Sequence, residues 1–251
     1  MLKFVRLLLV TVALHGGAAA AEDTLRLMAN TSPPYSDKTL PEQGLALEIV
    51  QKVFAGTPYQ PDITIDNWSR AVEGASLGVY DGLAAAWYSP GRDKDLLFSE
   101  PYLSSKLIIL KLRSKPGTYS SLKDLAAGRL GVRVDYAYGV DFAAVPDLTL
   151  VKENHLVQNL LRLLNGSVDF VIGDRRTIVM QLNEYLRDRM TKFEVLDIPL
   201  PEVHRHVAIS RELPASEAII ADFNRSLSES RESGSLQAII DQWDGRLGSL
   251  D

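Results

Sequence analysis

The strongest constraint on the fold is the alternation of short apolar strands with helices along nearly the whole chain. Strands read at 24–29, 62–65, 82–86, 107–112, 129–134, 148–151, 168–172, 193–198 and 206–210. Helices read at 44–54, 68–77, 122–127, 138–144, 156–164, 178–187, 216–231 and 236–247. The segment GLALEIVQKVF places Leu45, Leu47, Ile49, Val50, Val53 and Phe54 on one helical stripe. Alternation of this kind implies mostly parallel sheets covered by helices on both faces. A single sheet would need about a dozen strands, which is large, so two smaller lobes are expected.

The N-terminus reads as an export leader over residues 1–21. Lys3 and Arg6 form a positive head, residues 7–14 an apolar centre, and Ala18 to Ala21 offer small residues for cleavage. No later segment is apolar for long enough to span a bilayer, and the leader lacks the Cys that a lipid anchor needs. The formal charge is −5, and loss of Lys3 and Arg6 makes it more negative by two. That balance argues against nucleic acid as a partner. With 0 Cys, disulfides and thiolate chemistry are excluded, and stability must come from the 46% of residues that are hydrophobic.

The segment DGLAAAWYSPGRDKDLLFSEPY (81–102) carries the most chemistry. An apolar strand runs into a Ser-Pro-Gly turn, and Arg92 follows. A guanidinium just beyond a strand end offers a planar fork of donors to an anion, and open α/β sheets place ligands at that end of their strands. The competing reading is a surface Arg paired with Asp93 or Asp95. The segment resembles the one by which bacterial solute-binding proteins of family 3, the periplasmic amino-acid-binding proteins of type II fold, hold a ligand carboxylate. The family pattern there is a strand, T-x-T-P-E-R and F-S-x-P-Y. Ser89, Pro90 and Arg92 match the first part, and Phe98, Ser99, Pro101 and Tyr102 the second. Further likeness covers nearly all of the mature chain: the PPY loop and GLALEIV, SLKDLAAGRLGV at 121–132, residues 154–174, and residues 222–243.

The resemblance implies two Rossmann-like lobes joined by a hinge of two crossings. Residues 22–112 and 204–251 would form lobe 1 and residues 113–203 lobe 2, with crossings near 111–116 and 199–206. It implies that Arg92 binds an α-carboxylate and that Asp174, after the strand at 168–172, binds an α-ammonium. Asp174 also suits a helix N-cap, and the two roles are compatible. Tyr35 stands where the family often covers the ligand with an aromatic, or else it is a turn residue. Tyr136 falls near a segment whose helix N-terminus receives the carboxylate in the family.

Departures from the pattern gather aromatics at the same place. Trp87 replaces a small hydroxyl residue, Gly91 an acid, and Asp135-Tyr136-Ala137 a G-T-T sequence. Tyr35, Trp68, Trp87, Tyr88, Tyr136 and Tyr138 could then form an aromatic cage, although Trp68 and Trp87 also read as core residues. His155, His204 and His206 lack metal-ligand spacing, and no nucleophile signature accompanies the Ser, His and Asp present. No metal, cofactor or catalytic residue is expected.

The sequence therefore reads as a periplasmic, monomeric solute-binding protein for an amino acid or similar small zwitterion, serving an inner-membrane ABC permease or a sensor protein. The alternatives are a sensor subunit without a transport role and an enzyme resembling cyclohexadienyl dehydratases. Such an enzyme needs a general acid in the cleft; Glu48, Glu100 and Glu153 are the candidates.

Overall fold

The computed structural model describes residues 23–248; the leader reading at 1–21 lies outside them. β1 (Asp23–Asn30) pairs in parallel with β2 (Tyr59–Asp66) on one side and β3 (Gly82–Trp87) on the other. The connections carry α1 (Leu45–Phe54) and α2 (Trp68–Ser76). In the other half, β6 (Arg129–Arg133) lies between β7 (Thr149–Glu153) and β8 (Phe170–Asp174), again in parallel. Here α3 (Leu156–Leu164) and α4 (Arg175–Tyr185) cover the sheet. The molecule has the two lobes that the alternation implied.

Two antiparallel strands join the halves. β5 (Leu103–Leu112) pairs with β10 (Glu202–Ser210) through residues 103–106 and with β8 through residues 107–110. Its end also pairs with the short β9 (Phe193–Val195). β10 continues along β3 and along β4 (Leu96–Phe98). The chain closes with α5 (Ser216–Glu232) and α6 (Ser235–Leu247), both packed on α1.

Each half is apolar on both faces because both faces are covered: by helices in the first half, and in the second by α3 and α4 on one face and by 3-10 turns and loops on the other. In the first half, Leu27, Leu47, Val50, Phe54, Phe223 and Leu227 fill one side, and Met28, Ala71, Ala75, Leu83 and Leu96 the other. In the second half the alternation of β5 divides the cores: Leu107 and Ile109 join Leu130 and Ile172, while Ile108 and Leu110 join Leu160 and Ile178. The period of two along a strand requires this split.

Two segments differ from expectation. Residues 138–144 form no continuous helix, only a 3-10 turn at Phe142–Ala144. Gly139 sits at φ 67, and the Tyr138 hydroxyl accepts the Arg133 amide at 2.9 Å, so the chain is bent back toward β6. After the charged run, β4 leads into FSEPY and pairs with the edge that β10 offers to residues 96–98.

Gly44 starts α1 at φ 111, and a Cβ there would lie 2.6 Å from the Tyr35 backbone. Gly44→Ala is expected to destabilise the protein by about 1–3 kcal/mol, measured by denaturant unfolding. His206 Nδ1–H donates to the Ser99 carbonyl at 2.7 Å, and burial holds its pKa below the ordinary histidine value, with His204 adding to the effect. The native group gains its proton at a lower pH than the unfolded one, so unfolding takes up protons just below the ordinary histidine range. Its contribution is complete above about pH 6.5 and declines as pH falls below that. Thermal melts between pH 7.5 and 5 should show a loss of stability that is smaller in His206→Gln.

Candidate ligand-binding site

β1 ends at the buried Asn30, and the loop after it turns back through a Ser32–Ser36 bridge. The first amides of α1, which have no partner inside the helix, hold this loop: Leu45 N–H donates to Pro34 O and Ala46 N–H to Tyr35 O, both at 2.9 Å. Tyr35 is therefore fixed inside the protein rather than in a surface turn, with no exposed area. Its hydroxyl donates to Asp174 Oδ1 at 2.7 Å. Burial, reinforced by the Asp174 charge, pushes the phenol pKa up, so it remains a donor.

Asp174 ends β8 and caps α4, accepting from Thr177 N–H at 3.0 Å. Its other oxygen, Oδ2, is buried without a partner. A carboxylate that is 4% exposed, with half of its capacity unused, is an unusual cap. Arg205 lies on the other side of Tyr35, its guanidinium 3.3 Å from the ring centroid and 5.4 Å from that of Trp87.

β3 delivers Trp87 to the cleft, and the following turn brings Arg92 back over it. Arg92 Nη1 donates to Trp87 O at 2.9 Å and Nη2 to Asp135 O at 2.6 Å. The guanidinium stacks 5.0 Å from the Trp68 centroid. Desolvation lowers its pKa, against the opposing pull of Asp135. Trp68 Nε1–H also reaches Asp135 O, at 3.3 Å. Trp87 is 6% exposed, meets Tyr136 edge-on at 5.0 Å, and leaves its Nε1–H without a partner. Tyr136 comes from the loop after β6, with no helix N-terminus beside it. Its hydroxyl accepts from Asn30 Nδ2 at 2.9 Å and from Arg133 Nη1.

These side chains wall two adjoining cavities. The first, about 330 Å³ counted to its mouth, is lined by Asn30, Trp68, Trp87, Arg92, Tyr136 and Arg205 among others. The second, about 260 Å³ on the same measure, includes Trp87, Arg133, Asp174 and Arg205. The interlocked side chains leave free room for little more than water in either. Of the expected residues, Arg92, Trp68, Trp87 and Tyr136 meet at the first cavity and Asp174 at the second. Tyr35 lines neither and stands behind Asp174.

Arg205 and Arg133 were not expected here. The signal for Arg205 was present in VHRHV: His204 and His206 share one face of the strand, which puts Arg205 on the face of Val203 and Val207. A charge in the apolar register of a strand marks a site. The three glutamates considered as acids have other partners. Glu48 accepts from Trp243 Nε1 at 2.7 Å, Glu100 meets Arg231, and Glu153 meets Arg162.

The family described as "Bacterial extracellular solute-binding proteins, family 3" matches residues 26–246. A "Probable amino-acid ABC transporter-binding protein" of Haemophilus influenzae is 24% identical over 239 residues, 92% of this chain and 90% of that protein. Among solved structures, an ancestral arginine-binding protein bound to arginine superposes with a TM-score of 0.75 at 17% identity, covering 89% of this chain and 99% of its own. A histidine kinase sensor domain with similarity to periplasmic binding proteins gives 0.73 at 18% identity, covering 90% and 97%. At this identity the structural likeness speaks for the fold.

Tyr35→Phe removes the hydrogen bond that ties β8 to the loop after β1. It is expected to cost about 1.5–3 kcal/mol of stability, as for a buried bond to a charged acceptor, read from denaturant unfolding of the two proteins.

Proposed function

We propose that this chain, which belongs to the bacterial extracellular solute-binding proteins of family 3, captures an amino acid or similar small zwitterion in the periplasm and presents it to a membrane permease. The observation that carries this reading is the position of Arg92 and Asp174. They come from strand ends in opposite halves of the sheet and line adjoining cavities that share Trp87 and Arg205. Arg92 would take the ligand carboxylate with its planar fork, and the free Oδ2 of Asp174 the ammonium. Trp68 and Tyr136 would close around the remainder. The name of the Haemophilus influenzae relative supports an ABC transporter role. The sensor-domain likeness supports a second reading, in which a sensor protein reads the closed form.

In this conformation the Asp135 carbonyl occupies the Arg92 donor that would meet the ligand, while the Tyr35 hydroxyl holds the other oxygen of Asp174. A ligand replaces the Arg92 contact and needs the lobes to part first. The antiparallel pair of residues 103–106 with 202–205 is the place we assign to that hinge. Bending there moves whole lobes and leaves both cores intact. An exported, monomeric chain of this kind needs no catalytic group, and the engagement of Glu48, Glu100 and Glu153 away from the cavities supports binding without turnover.

A thermal-shift panel of amino acids on the exported chain tests the reading, because ligand at a hundredfold over Kd stabilises by about 2.7 kcal/mol. Arg92→Ala should weaken the bound amino acid by about 2–5 kcal/mol in calorimetry, with the fold retained by circular dichroism. Small-angle scattering should show ligand changing the radius of gyration. Unchanged affinity in the variant removes Arg92 from the site.

A further inference from the structure

The charges that wall the two cavities do not balance. Three arginines contribute, Arg92, Arg133 and Arg205, against two carboxylates, Asp135 and Asp174. Among the described residues no carboxylate lies within ion-pair distance of any of the three arginines. Asp135 is itself engaged by the Ser69 hydroxyl at 3.0 Å. A net zwitterion adds no charge and leaves one positive group over.

Arg205 is where that excess is hardest to sustain. It is 3% exposed and sits in β10 between Trp87 of β3 and Leu103 of β5. The one hydrogen bond of its side chain among the described residues is from Nη1 to the Ser105 hydroxyl, although a guanidinium carries five donors. Aromatic faces lie against it on two sides, and they attract a cation without neutralising it. Trp87 Nε1–H, buried and unpartnered, belongs to the ring that faces this guanidinium. Both residues line the two cavities, and among the described residues no carboxylate lies within ion-pair distance of Arg205. Buried charge without a counter-charge is costly.

We propose that the ligand carries a net negative charge: an amino dicarboxylic acid whose second carboxylate is received by Arg205 and Trp87 Nε1–H. This rests on the reading above, in which Arg92 holds the α-carboxylate and Asp174 the ammonium. The second carboxylate supplies the single negative charge that the cavity walls lack. It also explains an indole at position 87, because a small hydroxyl residue there could not bridge toward Arg205 with a fixed donor. A cationic side chain such as that of arginine would meet Arg205 and Arg133 and be excluded.

Calorimetry on the exported chain at pH 7.5 tests this with pairs that differ in one group: L-glutamate against L-glutamine, and L-aspartate against L-asparagine. The acid of at least one pair should bind ten times more tightly than its amide or better. Arg205→Gln should abolish that preference while still binding the amide, and Trp87→Phe should reduce it. An amide bound as tightly as its acid in both pairs, or an unchanged ratio in Arg205→Gln, overturns the proposal. Should Arg205→Gln fail to fold, the wild-type ratio and Trp87→Phe still decide. Glutarate and succinate separate the two readings. Binding of these diacids without any amino acid sustains the negative charge and overturns the amino-acid reading. Binding of amides alone does the reverse, and no binding by any of the six overturns both.

Discussion

Four residue pairs, from Lys106–Glu202 to Leu103–Arg205, hold the two halves of the sheet together. Everything else in the molecule is arranged about that short antiparallel ladder. Beyond it β5 turns from β10 to β8, so one strand belongs to two cores in succession. The ladder keeps its backbone groups paired while the chain passes from one lobe to the other, which a bare loop would not do. It also places Arg205, in its last pair, beside both cavities.

The cleft itself is a polar seam between two apolar lobes. Tyr35–Asp174, Arg92–Asp135, Asn30–Tyr136 and the contact of Arg133 with Ser32 all cross it. Behind the ladder, Arg176 of α4 adds a two-point contact with Asp244 of α6, at 2.6 and 2.8 Å. Each such bond exchanges for water or ligand at modest net cost, whereas the lobe cores cannot be exchanged. This difference in exchangeability is what lets a two-lobed fold open at one place and stay folded elsewhere.

The site differs from its surroundings in what is left unsatisfied. Buried polar groups in folded proteins are nearly all paired, and three side-chain atoms are exceptions among the described residues: Trp87 Nε1, Asp174 Oδ2 and Asn159 Oδ1. Trp87 lines both cavities and Asp174 the second, one offering a donor and the other an acceptor, beside Arg205, which has no carboxylate within ion-pair distance among the described residues. The family to which the chain belongs is one of solute-binding proteins.

Periodicity alone determined most of the elements. α3 falls where its apolar stripe ends at Asn165-Gly166, and β3, β5 and β8 where continuous apolar runs demand cover on both faces, because these patterns depend only on neighbours in the chain. Residues 138–144 read as a helix for the same local reason, and two features of the loop itself overrode it, Gly139 at φ 67 and the Tyr138 hydroxyl bound to the Arg133 amide. The grouping of strand ends was partly legible: Arg92 after its turn and Asp174 after its strand mark where an α/β sheet keeps its ligands. The tertiary structure alone decided that Arg205, some hundred residues away, lies between Tyr35 and Trp87, and that Tyr35 faces Asp174 across 139 positions. A strand pattern tells which face a residue takes, and only the pairing of strands distant in sequence tells what waits on that face.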